Sequence, residues 1–309
     1  TRVDAVFNAK HKDYYEVIDF ARKTVHAMSY DFPKWPFPYP HITVFDGLDQ
    51  MEYPMMVNDN PTSNTFDAIT LTDHEIFHTM FPFYMGINET KYGWMDEGWA
   101  TIGEWLISPM IDTTIVDDYG VAQTGSLSGG KDDVPIVTPT TQLKGAATFI
   151  NNYPKPGFGY LFVKEYLGEE LFTKALHHYI KNWNGKHPMP LDFFNSMNTG
   201  AGENLDWFWK PWFFETGILD LAIKDVVKTA TGYQIVVQNK SSNPLPVHLT
   251  LTYQDGSTEK INTSIVAWKG GNKEFIKAIE TNKSLKKVVL GSSHVPDKDK
   301  SDNSFTVKN

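Results

Sequence analysis

The sequence contains no cysteine among its 309 residues, and this absence narrows the chemistry open to it. A disulfide-based scaffold, a thiol nucleophile and a metal site with cysteine ligands are all excluded. No apolar run reaches the length of about 18 residues that a membrane-spanning helix needs. Basic residues are outnumbered, since 28 Lys and Arg face 37 Asp and Glu, so nucleic acid is not an expected partner.

The sequence also begins without methionine and without an apolar signal region, at Thr1-Arg2-Val3. We therefore expect a processed chain whose targeting segment lies outside this sequence. A composition rich in Asn and Thr and free of cysteine favours a bacterial protein exported to the periplasm or the extracellular space. A cytoplasmic location is the alternative.

Length and residue pattern predict two domains of the α+β class. At roughly 150 residues per domain, the chain is long enough for two. Apolar residues recur at helical spacing through most of the chain up to Gly217, and afterwards alternate with polar residues as strands do. We expect a mainly helical domain over residues 1–217 and a small β-sandwich domain over residues 218–309.

Two segments lack a regular pattern. Residues 112–152 carry Gly125, Gly129 and Gly130 among serines and aspartates, and we expect a loop of about 40 residues there. The residues from Pro296 onward are polar and charged, so we expect a C-terminal tail without regular structure.

One cluster of ionisable residues carries recognisable chemistry, and it reads His74-Glu75-Ile76-Phe77-His78. Two histidines four positions apart lie on one face of a helix, so both imidazoles can bind one metal ion. Glu75 lies beside the first histidine, where it can polarise a metal-bound water. The five-residue pattern alone is weak evidence, so the prediction depends on the residues that follow.

Two later glutamates strengthen the prediction of a metal site. Glu97 lies nineteen positions after His78, a gap that fits a helix, a return loop and a second helix. It would complete a zinc site of two histidines and one glutamate with an open position. Glu104 follows seven residues later on the same helical face, where it could orient a ligand imidazole. The alternative for Glu104 is a solvated surface carboxylate.

These residues resemble the zinc aminopeptidases of the aminopeptidase N and leukotriene hydrolase family, within the gluzincins. The family pattern, HExxH followed by eighteen residues and Glu, is met by His74, Glu75, His78 and Glu97, with Asp96 in place of the usual Asn. The resemblance implies a thermolysin-like catalytic domain, one zinc ion, and hydrolysis of peptides with Glu75 as general base.

A second family motif is similar to the segment around Glu52. In the family, a glutamate on a strand before the zinc helix binds the free α-amine of the substrate, and Glu52 occupies its place in the run Met51-Glu52-Tyr53-Pro54. This implies peptide substrates with a free N-terminus. Asp49 stands where the motif has its first glycine, which leaves endopeptidase activity open as an alternative.

The resemblance also implies a catalytic tyrosine. The family places it fifteen residues before the glycine of a helix break, and counting back from Gly168 gives Tyr153. Its hydroxyl would donate a hydrogen bond to the developing oxyanion. Tyr160 is the alternative candidate for the catalytic tyrosine.

The family usually begins with a large β-rich domain that has no counterpart here, so we expect a further N-terminal domain of the same protein. Two rivals to a zinc aminopeptidase remain. One is a zinc endopeptidase, or a hydrolase of another substrate. The other is an inactive, peptide-binding scaffold whose zinc is structural.

Overall fold

The computed structural model of the chain describes residues 1–47 and 49–307. The helices are α1 (Tyr14–Tyr30), α2 (Thr65–His78), α3 (Glu89–Tyr92), α4 (Glu97–Ile111), α5 (Val121–Leu127), α6 (Ala147–Ile150), α7 (Pro154–Trp183), α8 (Pro190–Ala201) and α9 (Asp206–Trp209). The strands are β1 (Arg2–Val6), β2 (His41–Asp46), β3 (Met51–Glu52), β4 (Met56–Asp59), β5 (Leu221–Lys228), β6 (Gly232–Asn239), β7 (Val247–Tyr253), β8 (Thr258–Thr263), β9 (Glu274–Glu280), β10 (Leu285–Leu290) and β11 (Ser304–Thr306). Helices precede strands along most of the chain, so the α+β prediction is confirmed.

The N-terminal strands form a four-stranded sheet in the order β1-β2-β4-β3. Strands β1, β2 and β4 are parallel, whereas β3 pairs antiparallel with β4 at the edge. Ile42, Val44 and Val57 are buried on the face that contacts α1 and α2. Because side chains alternate along a strand, Met51 is exposed while Glu52 turns inward beside α2.

The helical part has a core built largely from aromatic side chains. Trp99 stacks on Tyr160 with ring centroids 4.1 Å apart, and Phe193 contacts both rings edge-on. Helix α4 approaches α2 closely at Gly103, where a Cβ would lie 2.3 Å from the Phe77 ring. Glycine at this position therefore sets the spacing of the two helices. Within the described residues, no helix combines the length and the apolar character needed to cross a bilayer.

The strands after α9 form two sheets, in the orders β11-β10-β7-β8 and β5-β6-β9, with antiparallel pairing throughout. Ile235 and Val237 of one sheet and Leu249 and Leu251 of the other are buried in a shared apolar core. The helix break predicted at Gly168 is confirmed, because α7 is interrupted there by a residue with a φ of 73°. The boundary at residue 217 stays a prediction.

The prediction of a 40-residue loop over residues 112–152 is wrong in part. Helices α5 and α6 and a 3₁₀ turn over Thr140–Gln142 lie within it. Gly125 lies inside α5, and a Cβ there would come 2.7 Å from the carbonyl oxygen of Asp297. The glycine permits a close approach between segments rather than a loop.

The prediction of an unstructured tail is also wrong. Residues Ser304–Thr306 pair with β10. The buried Asp297 side chain accepts a hydrogen bond from the Leu221 backbone N–H, at 3.3 Å. Backbone pairing at a sheet edge does not depend on apolar side chains, so polarity alone did not reveal this strand.

Candidate metal centre

The His74–His78 motif lies in the last two turns of α2. Asn64 caps the N-terminus of the helix, and its side chain accepts a hydrogen bond from the Asp67 backbone N–H at 2.8 Å. It ends at His78, because Phe81 adopts extended angles before Pro82, as a residue before proline usually does. A π-helical turn over Thr79–Tyr84 then leads the chain away.

A buried carboxylate holds α2 in position one residue before the motif. Asp73 is fully buried and accepts hydrogen bonds from Thr24 of α1 and, at 2.7 Å, from Ser108 of α4. Burial raises the pKa of Asp73 to about 8. The rotation of α2, and with it the direction of its histidines, is therefore fixed by contacts with two neighbouring helices.

Three candidate ligands converge between α2 and α4. His74 Nε2 lies 3.2 Å and His78 Nε2 3.3 Å from the same oxygen of Glu97, Oε2. Two ligands bound about 2.1 Å from a tetrahedral zinc ion are separated by about 3.4 Å. The spacing of these donors therefore fits one zinc ion.

Each histidine is oriented through its other ring nitrogen. His74 Nδ1 lies 3.2 Å from Glu104 Oε2, and His78 Nδ1 lies 2.7 Å from Asp96 Oδ1 and 3.0 Å from the carbonyl oxygen of Phe81. These acceptors favour a proton on Nδ1, which leaves the Nε2 lone pairs facing the cluster. The structure thus places Glu104 beside His74 and Asp96 beside His78.

The role of Asp96 was missed from the sequence, where it appeared only as a replacement for asparagine. Its side chain is nearly fully buried and lies directly before the ligand candidate Glu97 at the start of α4. The sequence signal that could have revealed it is a carboxylate directly before a candidate metal ligand. The carbonyl of Phe81 had no such signal, because it reaches His78 only through the turn before Pro82.

The electrostatics of the cluster favour a cation. Burial lowers the pKa of His74, but hydrogen bonds to Glu104 and Glu97 raise it overall to about 10. Burial likewise raises the pKa of Glu97, yet hydrogen bonds with His74 and His78 bring it below its ordinary value. Both shifts show that positive charge is stabilised between these residues.

The carboxylate of Glu75 lies beside the candidate ligands, within 4.8 Å of a ring nitrogen of His78. Its side chain is almost completely buried, and its Oε2 atom has no hydrogen-bond partner among the described residues. Burial raises the pKa of Glu75 to about 7. A carboxylate with a pKa near neutrality can both accept and return a proton.

The structure brings Tyr153 to the cluster and keeps Tyr160 away from it. The Tyr153 hydroxyl donates to Glu97 Oε1 at 2.7 Å, and its ring stacks on His74 with centroids 6.1 Å apart. Burial, together with the charge of Glu97, raises the pKa of Tyr153, so its phenol stays protonated. Tyr160 is fully buried and donates instead to the Trp94 carbonyl oxygen at 2.9 Å.

The cluster opens into a cleft of about 930 Å³, and Glu52 forms part of its wall. A carboxylate oxygen of Glu52 lies within 4.8 Å of candidate ligand atoms of Glu75 and His78. Asp49 is exposed and lies outside this lining, with its side chain accepting a hydrogen bond from the Gln50 backbone N–H at 3.0 Å. Asp49 therefore does not occupy the space beside Glu52.

Residues 47–212 match the family model described as the peptidase family M1 domain, which covers more than half of the chain. The chain belongs to peptidase family M1. Members of this family are metallopeptidases and are generally zinc-dependent. All of the residues of the cluster lie inside the matched segment. No curated protein matches the chain.

Proposed function

We propose that this M1 peptidase is a zinc aminopeptidase that releases N-terminal residues from peptides. The observation that carries the proposal is the convergence of His74, His78 and Glu97 at zinc-ligand spacing, with Glu75 and Glu52 on the same cleft. Peptide hydrolysis by a metal-activated water needs the metal and a base. Exopeptidase selectivity needs, in addition, a group that recognises the end of the chain.

His74, His78 and Glu97 would hold the zinc ion, and Asp96 and Glu104 would fix the two imidazoles. When bound, zinc lowers the pKa of water and polarises a carbonyl group. The donor set fits this metal, because two imidazole nitrogens and one carboxylate form a common catalytic zinc site.

Glu75 would act as general base and then as general acid. It takes the proton of the attacking water and delivers it to the amine nitrogen that leaves when the peptide bond breaks. Tyr153, whose hydroxyl keeps its proton, would donate a hydrogen bond to the oxyanion that forms on the scissile carbonyl.

Glu52 would bind the free α-ammonium group of the substrate. Its position near Glu75 limits the chain that fits between the two carboxylates to about one residue, so the bond after the first residue would be cleaved. The exposed position of Asp49 supports this role, since its side chain leaves the strand edge beside Glu52 open.

The fold proposal that accompanies this function is a thermolysin-like catalytic domain over residues 1–217, followed by a β-sandwich domain over residues 218–309. The arrangement of α2 and α4 beside a sheet whose edge strand forms the cleft wall supports it.

The test combines metal analysis with a matched pair of substrates. The zinc-loaded protein should hydrolyse an aminoacyl-coumarin reporter and ignore the same reporter with an acetylated amine. Glu75→Gln keeps the shape of the side chain and should lower turnover by several orders of magnitude while zinc content is unchanged. The control Glu170→Gln changes an exposed glutamate on α7 and should leave turnover at the wild-type level.

Each rival predicts a different result. Equal cleavage of free and acetylated substrates would identify an endopeptidase. Stoichiometric zinc without cleavage of either substrate would identify a binding scaffold. Activity retained in Glu75→Gln would contradict the proposed mechanism.

A further inference from the structure

We propose that Glu89 acts together with Glu52 as a two-carboxylate anchor for the primary ammonium group at the substrate N-terminus. This inference rests on the proposed aminopeptidase function and extends it. It assigns a specificity-determining role to a residue that lies outside the zinc motif and outside the strand of Glu52.

Glu89 reaches the cleft from the segment that joins the two zinc helices. It is the first residue of α3, is partly buried, and lines the same cleft as Glu52. Carboxylate oxygens of Glu52, Glu89 and Asp96 all lie within 4.8 Å of one another. Two structural elements thus bring carboxylates to the place where the substrate N-terminus would lie.

Glu52 is buried without a partner. Only 8% of its surface is exposed, and no hydrogen bond or ion pair joins its carboxylate to another described residue. Burying a carboxylate beside a second one, without a counter-charge, is costly. Asp96 differs, because it is paired with the His78 ring. Of these three carboxylates, Glu52 and Glu89 are therefore the two without a partner among the described residues, and both line the cleft.

The charges around the cleft point to a cationic ligand. Among the described residues, its lining includes seven Asp and Glu side chains and no Lys or Arg. One zinc ion offsets only part of this negative charge. The position of Glu52 and Glu89 accordingly favours a further cation.

A primary ammonium group fits this position. It carries three N–H donors, so it can bind two carboxylates at once and retain one donor for a third acceptor. Charge-assisted hydrogen bonds of this kind are stronger than neutral ones. Two anchors arising from separate elements would also fix the position of the ammonium group, and so the distance from the chain end to Glu75.

The experiment measures binding separately from turnover. In a Glu75→Gln background loaded with zinc, calorimetry gives the affinity for L-phenylalaninamide and for 3-phenylpropanamide, which lacks the amine. Glu89→Gln should weaken binding of L-phenylalaninamide by about tenfold or more, which is the scale of one charged contact. Binding of 3-phenylpropanamide should not change.

Asp67→Asn is the matched control. Asp67 also lines the cleft, but it is exposed and hydrogen-bonded to the Asn64 side chain. Its variant removes the same charge from a carboxylate that already has a hydrogen-bond partner and should change either affinity by less than about twofold. A double variant with Glu52→Gln should lose less than the product of the two single effects, because both residues bind one group.

Three outcomes would overturn the inference. They are equal weakening of both amides by Glu89→Gln, an effect no larger than that of Asp67→Asn, and a second bound metal ion that Glu89→Gln removes. If the wild-type chain cleaves no free-amine reporter, the proposed function fails, and the binding comparison still decides the role of Glu89. If the reporter is cleaved and Glu89→Gln shows no amine-dependent loss, the inference alone fails.

Discussion

The buried ion pair between Lys155 and Asp133 lies close in sequence to Tyr153, and its contribution to stability can be measured directly. Lys155 Nζ lies 2.6 Å from Asp133 Oδ1, and the two side chains are only 2% and 4% exposed. Lys155 lies two residues after Tyr153 in the first turn of α7. Asp133 also accepts the Gly129 backbone N–H at 2.7 Å, so the pair ties the preceding segment to this helix.

Removing one partner of this pair leaves the other charge buried and unpaired. Such a change costs about 3–5 kcal/mol, whereas replacing both partners by neutral groups costs far less. We therefore expect Lys155→Met and Asp133→Asn each to lower the free energy of unfolding by about 3–5 kcal/mol. The double variant should recover most of this loss, because neither buried charge remains.

Urea-induced unfolding, followed by tryptophan fluorescence, measures these changes. Lys210→Met is the control, because the ion pair of Lys210 with Glu215 is exposed at 3.7 Å and should contribute less than about 1 kcal/mol. The reasoning is refuted if the two single variants add in the double variant, or if Lys155→Met costs no more than Lys210→Met.

Two further predictions concern metal affinity and pH. Asp96→Asn should weaken zinc binding by about ten- to a hundredfold. The loss should exceed that of Glu104→Gln, because Asp96 lies 2.7 Å from its histidine and Glu104 lies 3.2 Å from its own. The Asp96 side chain is also less exposed, at 4% against 20% for Glu104. Competition with a chelator of known affinity measures both, and a reversed order would contradict the argument. Burial raises the pKa of Asp297 to about 6, so the folded chain holds a proton there that the unfolded chain releases near pH 4. The stabilisation that comes from protonating Asp297 is present below about pH 4 and is lost as pH rises through about 6. Asparagine does not titrate, so Asp297→Asn should gain stability relative to the wild type between about pH 4.5 and about pH 7.5. Urea midpoints of the variant and the wild type at the two pH values test this prediction. A difference between the two proteins that is the same at both pH values would count against it.

The sequence predicts those features of this protein that depend on local spacing. Two histidines four residues apart must share a helical face, so the pairing of His74 with His78 required no knowledge of the rest of the chain. The break at Gly168 was also predictable locally, because glycine readily adopts a conformation that interrupts a helix. Glu97 lies further away, and its assignment used a gap that fits a helix, a return loop and a second helix. Tyr153 lies further still, and its assignment depended on a resemblance whose motifs fix the number of residues between elements.

Features that depend on contacts between distant segments were not predictable. Gly125 has the sequence appearance of a loop residue, yet it lies in a helix against the backbone of Asp297, more than 170 positions along the chain. Strand β11 lies in a mostly polar segment and owes its structure to pairing with β10. Glu89 joins Glu52 only because the chain leaves α2 by a π-helical turn and returns along α3. No local pattern encodes any of these approaches.

The charges of the cleft link metal binding to substrate selection. With zinc bound, its two positive charges would be offset largely by the ligand Glu97 and by Asp96 and Glu104 behind the two histidines. Glu52 and Glu89 would then remain as negative charges without a counter-charge in the described lining. A peptide with a free N-terminus would supply the missing positive charge, whereas a blocked peptide would leave both carboxylates unpaired. The same surplus of carboxylates that suits the metal would thus make the end of the chain, rather than an internal bond, the favoured position of cleavage.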